Sequence, residues 1–486
     1  MTEITASRAE LEGRIDAFLL RQLDAAGNAF PLCEFVPGVT WNRFDLGFKL
    51  LYLDALRGQP SDFAARIYTA HIAAFSLGDM AEPGGQGKVG IDRFKADFAT
   101  ILQDIADNGF DPDQSLVPLA RDGSLLNAGH RAACAIALGK SVTGVVTGLE
   151  PKIFDYRFFA RRGISDDDLD ACAMRLVEAM PHVAVALLWP AAHGGDKDVE
   201  ALLGPLVYRR NVVLSLNGGH NLLARVYQGE PWLGDPADNF PGVKRKLMDC
   251  FSGSDDLRVL IFDAPPDVDR VALKDDVRAV YGIAKASVHI TDTHAEAVEV
   301  SRLLLNRNAR HFLDHGKPAK FAQTRRNVGV LKSYLTQHGI APNAVAVDTG
   351  MVMGLYGLRA PNDIDVVASR PLPPGPVEQH DTPHREVGSG DILQDPARHF
   401  SYSGLKFVSL AEVAALKRKR LAGRDREDLL LIEPILSQSD NRGPQKPLSL
   451  RLHFFVLRVR RASIRLLFRL GIGTPLRRIY RRATGR

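Results

Sequence analysis

Residues 347–367 carry the most informative pattern of the chain, which is VDTGMVMGLYGLRAPNDIDVV. The order of apolar residues and glycines predicts a strand, a turn, a short helix, a loop and a second strand. Asp363 and Asp365 are separated by one residue, so on a strand they face the same side. Two such carboxylates repel each other and lose solvation when buried, and a hard cation such as Mg²⁺ compensates both effects. We therefore expect Asp363 and Asp365 to hold Mg²⁺, and the alternative is a hairpin with two exposed aspartates and no chemistry.

The same pattern resembles the nucleotidyltransferase domain of the polymerase-beta type, over about residues 336–440. The family motif is a hydrophobic residue, Gly, Gly or Ser, a spacer, and then Asp-hydrophobic-Asp or Glu. Gly350 takes the first glycine position, whereas Met351 stands where the family has Gly or Ser. The resemblance implies that Gly350 and Met351 meet the nucleotide phosphates. It also implies that Asp363 and Asp365 are catalytic and bind the metal.

A strand at residues 404–410 and a helix at residues 411–420 are predicted to follow. The resemblance implies that Lys417 and Arg420 on this helix bind nucleotide phosphates. An amphipathic helix with a solvated basic face is the alternative. The third carboxylate of the family is left open, with three candidates: Asp381, Glu386 and Asp391.

A second informative segment lies at residues 115–139. Residues 115–120 predict an edge strand, because Pro118 cannot donate to a ladder, and Asp122-Gly123 predicts a turn. A helix is predicted over residues 130–138, closed by Gly139. It opens at Asn127-Ala128-Gly129-His130-Arg131, where adjacent backbone N–H groups, a His and an Arg suit an anion.

This segment resembles the ParB/sulfiredoxin-like nucleotide-binding domain, over about residues 80–150. The resemblance implies that Gly129, His130 and Arg131 bind nucleotide phosphates. It also implies that Glu82 acts as a base, as in the small-metabolite kinases of that family. The alternative is that His130 packs against its own helix while Arg131 lies on the surface.

The length of 486 residues predicts several domains of an α/β protein, multidomain and mixed α+β in character. In the middle of the chain we expect strands at residues 183–188, 211–216, 257–262 and 286–290 and a helix at residues 295–306. The predicted division is a helical region at 1–80, a ParB/sulfiredoxin-like domain at 81–160, an α/β domain of unknown type at 161–335, a nucleotidyltransferase-like domain with a mixed sheet at 336–440, and a linker with a basic amphipathic tail at 441–486.

The formal charge of +5 comes from the tail, because residues 451–486 contain 11 arginines and no acidic residue. Apolar residues recur there at helical spacing, and arginines recur at helical spacing on a different face. This pattern is typical of an amphipathic helix that binds an anionic membrane surface or a protein partner. We do not expect nucleic acid as a partner. The four cysteines have no metal-binding spacing and indicate a reducing cytoplasm. We expect a cytoplasmic protein, with peripheral attachment to the inner membrane as a further option.

Together these patterns predict a Mg²⁺-dependent nucleotidyltransferase whose substrates are a nucleoside triphosphate and a small-molecule acceptor. A role in surface polysaccharide or precursor biosynthesis would suit the tail. The alternatives are a small-metabolite kinase that uses the ParB/sulfiredoxin-like domain, and a non-catalytic nucleotide-binding regulator.

Overall fold

A computed structural model describes residues 4–23, 29–81, 88–253, 255–380, 385, 387–437, 459 and 463. The N-terminal part consists of β1 (Thr5–Ala6), α1 (Arg8–Leu11), α2 (Ala17–Leu20), β2 (Phe30–Phe35), α3 (Asp45–Arg57), α4 (Asp62–Ser76), α5 (Ile91–Asn108), β3 (Val117–Leu119), α6 (Gly129–Leu138) and β4 (Val142–Val146). Its sheet has the order β1-β2-β4-β3, with β3 parallel to β4 and the other pairs antiparallel.

The predicted features around β3 are confirmed. Pro118 lies on an edge strand, Gly123 turns with a positive φ of 82°, and α6 ends at Gly139 in the left-handed conformation. The prediction of a helical region at 1–80 is wrong in part, because the strands β1 and β2 also lie within it. Pro31 obscured β2, since proline is rare inside sheets.

The middle part consists of α7 (Tyr156–Ala160), α8 (Asp166–Ala179), β5 (Val183–Leu188), α9 (Asp196–Leu203), β6 (Leu206–Val212), α10 (Leu216–Val226), α11 (Val243–Cys250), β7 (Leu257–Asp263), α12 (Arg270–Tyr281), β8 (Val288–Ile290), α13 (His294–Leu304) and α14 (Arg307–His315). Its four strands form an antiparallel sheet in the order β6-β7-β5-β8. Every residue of β5 is buried, because helices cover both faces.

One predicted strand of this sheet is displaced. The strand expected at residues 211–216 is β6, which ends at Val212, and Ser215 instead caps α10 by accepting a hydrogen bond from the Gly218 amide. β6 contains Arg209 and Arg210, which pair with carboxylates of α9 and α8. β6 is an edge strand of the sheet, and these two charges hid it in the sequence because they interrupt the apolar run by which a strand is recognised.

The N-terminal and middle parts share one hydrophobic core. Buried residues between positions 39 and 313 form a continuous cluster, in which α3 packs directly on α8. The approach is closest at Gly47, where a β-carbon would lie 2.4 Å from the Sγ atom of Cys172. The two sheets are therefore held together by packing and not only by the chain that links them.

The C-terminal part has a core of its own, built mainly from residues between 309 and 432. It consists of α15 (Ala322–Gln337), β9 (Val345–Val347), α16 (Thr349–Leu355), β10 (Asp365–Ala368), β11 (Glu378–Gln379), α17 (Ser389–Gln394), β12 (His399–Tyr402), β13 (Leu405–Val408), α18 (Leu410–Arg420) and α19 (Asp425–Leu436). The mixed sheet has the order β11-β10-β9-β13-β12, with β9 antiparallel to β10 and parallel to β13.

Polar contacts connect the C-terminal part to the N-terminal part. The Ser61 hydroxyl, at the start of α4, donates to the Asp391 carboxylate on α17 over 2.7 Å, and the Gln394 amide donates to the Gln59 carbonyl over 2.6 Å. Asn306, between α13 and α14, donates to the carbonyls of Pro396 and His399. These bonds fix the C-terminal sheet against both other parts.

The predicted α/β class with mixed sheets is confirmed. Within the described ranges, no helix combines the length and apolar character needed to cross a membrane. The predicted amphipathic tail lies outside the described residues except for Val459 and Ser463, which are helical.

Replacement of Gly47 by Ala should lower the free energy of unfolding by about 1–3 kcal/mol, because the new methyl group overlaps Cys172 across the α3–α8 contact. Gly329→Ala is the matched control, since Gly329 is also helical and its β-carbon would meet no atom within 4 Å. That control should be neutral or stabilising by up to about 1 kcal/mol. Denaturant unfolding measures both, and equal stability of the two variants would contradict the close packing.

Candidate active site

The candidate site lies at one end of the C-terminal sheet. β9 and β10 run antiparallel, so the end of β9 and the beginning of β10 are adjacent, and the Asp348 amide donates to the Asp365 carbonyl over 2.8 Å. β9 leads into α16 through Asp348 and Thr349, and Thr349 has a positive φ of 39°. This turn brings the α16 N-terminus beside the predicted carboxylates.

Asp363 and Asp365 flank the buried Ile364 and are themselves exposed and half-buried, respectively. The strand itself begins at Asp365, so the prediction that both residues lie on the strand is corrected for Asp363, which is exposed in the preceding loop. Burial raises the pKa of Asp365, and the negative charge of Asp363 raises it further. The Thr349 hydroxyl donates a hydrogen bond to Asp365 and opposes this rise.

Gly350 lies against the same carboxylates. A β-carbon on Gly350 would stand 3.6 Å from the Oδ1 atom of Asp363 and 3.7 Å from the Nη1 atom of Arg359. The neighbouring Met351 is fully buried, and its sulfur lies 3.6 Å from the Asn327 amide nitrogen. Gly350 therefore borders the carboxylates, while the Met351 side chain belongs to the core.

Asp348 is a buried carboxylate that the sequence interpretation did not single out. It caps α16 by accepting from the Thr349 amide over 2.7 Å, and it pairs with Arg385 and with His380, whose Nδ1 is 3.5 Å away. Burial would raise the pKa of Asp348, but the hydrogen bonding of His380 and the charge of Arg385 outweigh burial and lower it. The same pairing raises the pKa of His380.

Arg385 has hydrogen-bond donors that are not used within the site. Its side chain is 8% exposed, and its Nε and Nη1 atoms are buried without a hydrogen-bond acceptor among the residues the structure describes. A buried guanidinium with unused donors is costly, and an anion with several oxygens would satisfy them.

Lys417 and Arg420 belong to an ion-pair network between α18 and α19. The Lys417 side chain is 2% exposed, and its Nζ atom lies 3.0 Å from Asp425 and 2.7 Å from Asp428. Arg420 pairs with Asp425 over 2.8 Å, and Arg359 pairs with Asp428 over 2.7 Å. Lys417 thus contacts carboxylates within the protein, and its predicted contact with phosphate stays a prediction.

The two arginines at the edge of this network face the candidate carboxylates. The hydrogen bonds that Arg420 donates to Asp425 raise the pKa of Arg420, and the charges of Asp365 and Asp348 add to the rise. The pKa of Arg359 is likewise raised, mainly by its hydrogen bonds to Asp428 and to a smaller extent by the charges of Asp363 and Asp365. The site therefore combines two clustered carboxylates with arginines on several sides. Of the third-carboxylate candidates, Asp391 lies at the α4 contact instead, and Asp381 and Glu386 lie outside the described residues.

The second predicted site, at the N-terminus of α6, is more enclosed than expected. The His130 Nε2 atom is 2.8 Å from the Tyr68 hydroxyl, and its ring packs edge-on against Phe98. Burial holds the pKa of His130 well below its ordinary value, so the ring is neutral. Arg131 is half-buried, and Glu82 lies outside the described residues.

A buried charge cluster that the sequence interpretation missed lies beneath Gly129. Arg43 and Lys49 both pair with Asp45 at 2.7 Å, and Lys49 also contacts the Nε2 atom of His71 at 3.2 Å. A β-carbon on Gly129 would lie 2.8 Å from the Arg43 guanidinium. Arg43 precedes α3, and Asp45 and Lys49 lie in its first two turns, so the close spacing of these three charged residues around the helix start was the signal available in the sequence.

The three comparisons of the chain, with known protein families, with curated proteins and with solved structures, find no match.

Replacement of Lys417 by Met should lower the free energy of unfolding by about 3–5 kcal/mol, because it leaves Asp425 and Asp428 buried without their shared cation. Arg418→Met on the same helix is the matched control. Arg418 is 52% exposed, so its pair with Glu433 should contribute less than about 1 kcal/mol. Similar losses in the two variants would contradict the buried network.

The C-terminal part should also lose stability in acid. The pKa values of Asp348, Asp425 and Asp428 are lowered by folding, so their contribution is complete above the unfolded pKa of about 4 and is lost as pH falls through the lower folded values. Unfolding measured between about pH 5 and 2 should show this fall in the wild type. The fall should be shallower in Lys417→Met, where the carboxylates lack the cation that lowers their pKa.

Proposed function

We propose that the protein is a Mg²⁺-dependent nucleotidyltransferase that acts on a small-molecule acceptor. The observation that supports this best is a cluster of residues at one end of the C-terminal sheet. Asp363 and Asp365 lie there beside Gly350, and Arg359 and Arg420 face the two carboxylates. Transfer of a nucleotidyl group mainly needs positioning and compensation of phosphate charge. Paired carboxylates for a metal and arginines for the phosphates supply both.

The donors present suit Mg²⁺. Among the residues the structure describes, no group of three or more His, Cys, Asp or Glu side chains is arranged to hold a metal by itself. Mg²⁺ is commonly held by one or two carboxylates and completes its octahedron with water and substrate phosphates. Asp363 and Asp365 would supply the two carboxylates, and Mg²⁺ when bound would neutralise phosphate charge and orient the reacting oxygens.

In the proposed reaction, an acceptor oxygen forms a bond to the α-phosphorus of the nucleoside triphosphate. The bond from this phosphorus to the bridging oxygen breaks, pyrophosphate leaves with the electron pair, and a hydroxyl acceptor gives its proton to water. Gly350 would leave room for the triphosphate beside the α16 N-terminus. Arg359, Arg385 and Arg420 would compensate its charge.

Lys417 would then act as a positioning residue. It holds Asp425 and Asp428, which in turn orient Arg420 and Arg359 toward the carboxylates. This role needs no direct contact between Lys417 and the nucleotide.

Replacement of Asp363 and Asp365 by Asn should abolish pyrophosphate release, with a loss of at least about 100-fold, because the metal loses its protein ligands. The assay supplies ATP, CTP, GTP or UTP with Mg²⁺ and a pool of small hydroxyl and phosphate acceptors. It measures pyrophosphate, nucleoside diphosphate and orthophosphate separately.

Glu427→Gln is the control for this assay, because Glu427 is an exposed carboxylate of the same part of the chain. It should keep wild-type activity. Pyrophosphate release that survives the double replacement would overturn the assignment of Asp363 and Asp365.

Replacement of Arg385 by Gln should raise the KM for the nucleotide by about 10- to 100-fold, the range expected for charged hydrogen bonds to phosphate. Its buried, unsatisfied donors would otherwise meet the phosphate oxygens. Arg370→Gln, at the other end of β10 and exposed, should leave KM unchanged. An unchanged KM in Arg385→Gln would remove Arg385 from the proposed site.

A small-metabolite kinase in the N-terminal part is the second candidate. Arg43 and Lys49 share the single carboxylate of Asp45 beneath the α6 N-terminus, which leaves a net positive charge there. This charge would favour the binding of phosphate and so supports the kinase hypothesis. In this case nucleoside diphosphate would appear in the same assay, would survive the replacement of Asp363 and Asp365, and would be lost in Glu82→Gln. Nucleotide binding without any product would instead support a regulator.

A further inference from the structure

A large cleft lies where the three parts of the chain meet. Its volume is about 860 Å³, within the range of small-molecule sites. α3 and α4 contribute Asp54 and Phe63, α8 and α13 contribute Arg175 and Arg302, and the C-terminal sheet contributes Lys406. Binding sites occur preferentially at such junctions between structural units.

This cleft is separate from the candidate active site. It is lined by Ala344, which precedes β9, and Ser369, which follows β10. Asp365 lies at the opposite end of β10, and four residues of strand span about 13 Å. A ligand in the cleft would therefore occupy the far end of the sheet from Asp365.

The cleft lining carries an excess of positive charge. Arg175 pairs with Asp54 over 2.7 Å, and Arg302 pairs with Glu178 over 2.5 Å, so these four charges are balanced. Two further cations remain in the lining, Arg57 and Lys406. Both donate to backbone carbonyls, those of Ala137 and Leu393, and form no ion pair within the described part of the chain.

We infer that this cleft binds a small phosphorylated molecule, with its phosphate beside Lys406 and its organic body against the apolar part of the lining. A phosphate monoester carries up to two negative charges at neutral pH and so matches the two unbalanced cations. Phe63 and Met174 offer apolar surface for the body of the ligand. The inference does not depend on the proposed transferase, because none of the transferase residues lines the cleft.

The titration of Lys406 makes ligand binding measurable as an uptake of protons. Burial, together with the positive charge of Arg302, lowers the pKa of Lys406 to about 8, and the negative charges of Glu178 and Asp54 oppose this fall. His399, which also faces Lys406, is neutral because burial lowers its own pKa. An anion beside Lys406 would raise its pKa, so binding at pH 8 should take up a proton.

Isothermal titration calorimetry of the full chain tests the site. The probes are inorganic phosphate, a hexose monophosphate and the same hexose without phosphate, each at pH 8 in buffers of different ionisation enthalpy. We expect binding of the hexose monophosphate with uptake of up to about half a proton, because Lys406 with a pKa of about 8 is already half protonated at pH 8. We also expect weaker binding of phosphate and none of the unphosphorylated hexose.

Two replacements of Lys406 distinguish the effect of its positive charge on binding from an effect of altered structure. Lys406→Met should weaken binding by at least about tenfold. Lys406→Arg should retain binding but take up no proton at this position, because arginine stays charged at pH 8. Lys332→Met is the control: burial also lowers the pKa of Lys332, but it lies outside the cleft, so binding should be unchanged.

Replacement of Asp363 and Asp365 by Asn should leave this binding intact, whatever its effect on nucleotide turnover. Binding lost in that variant would place the ligand in the transferase site instead. Absence of binding by the wild type, or equal binding by folded Lys406→Met, would overturn the inference. Equal binding of the phosphorylated and unphosphorylated hexose would overturn the assignment of a phosphate to Lys406.

Discussion

The geometry of the candidate site depends on one buried cation. Lys417 lies between Asp425 and Asp428 and joins α18 to α19 where water is nearly excluded. The same carboxylates hold Arg420 and Arg359, so both arginines take their positions from Lys417. A buried charge is stable only with its partners in place, which makes this arrangement all-or-none. The sheet provides the carboxylates, and the helix pair provides the cations that face them.

Much of the fold follows from simple patterns. β5 is a run of six apolar residues, and β10 begins with the last residue of the Asp-Ile-Asp motif. Both strands were predicted within a residue or two of their positions. β2 and β6 were missed or displaced because Pro31, Arg209 and Arg210 conceal strand character. Only tertiary contacts, such as the pairs of Arg209 with Asp196 and Glu200, make those residues compatible with a sheet.

The candidate site was predictable in its carboxylates and in Arg420, but not in its other cations. The spacing of Asp363 and Asp365 around an apolar residue signals two side chains on one side of the chain. The spacing of Lys417 and Arg420 on one helix cannot tell which of them is buried, and the structure buries Lys417. Arg385 and His380 come from the segment after β10, where no periodic pattern connects them to Asp348.

The shared core of the first two parts has a consequence for the ancestry of the chain. Gly47 precedes residue 160 in the sequence and Cys172 follows it, yet the two residues pack so closely that a side chain on Gly47 would overlap Cys172. Segments joined in this way are inherited together, because a recombination event near residue 160 would leave two exposed apolar faces. The large core gives way to the C-terminal one within α14, whose Leu313 belongs to the first core and whose Ala309 and Phe312 belong to the second, so a fusion at this helix must keep both sets of contacts.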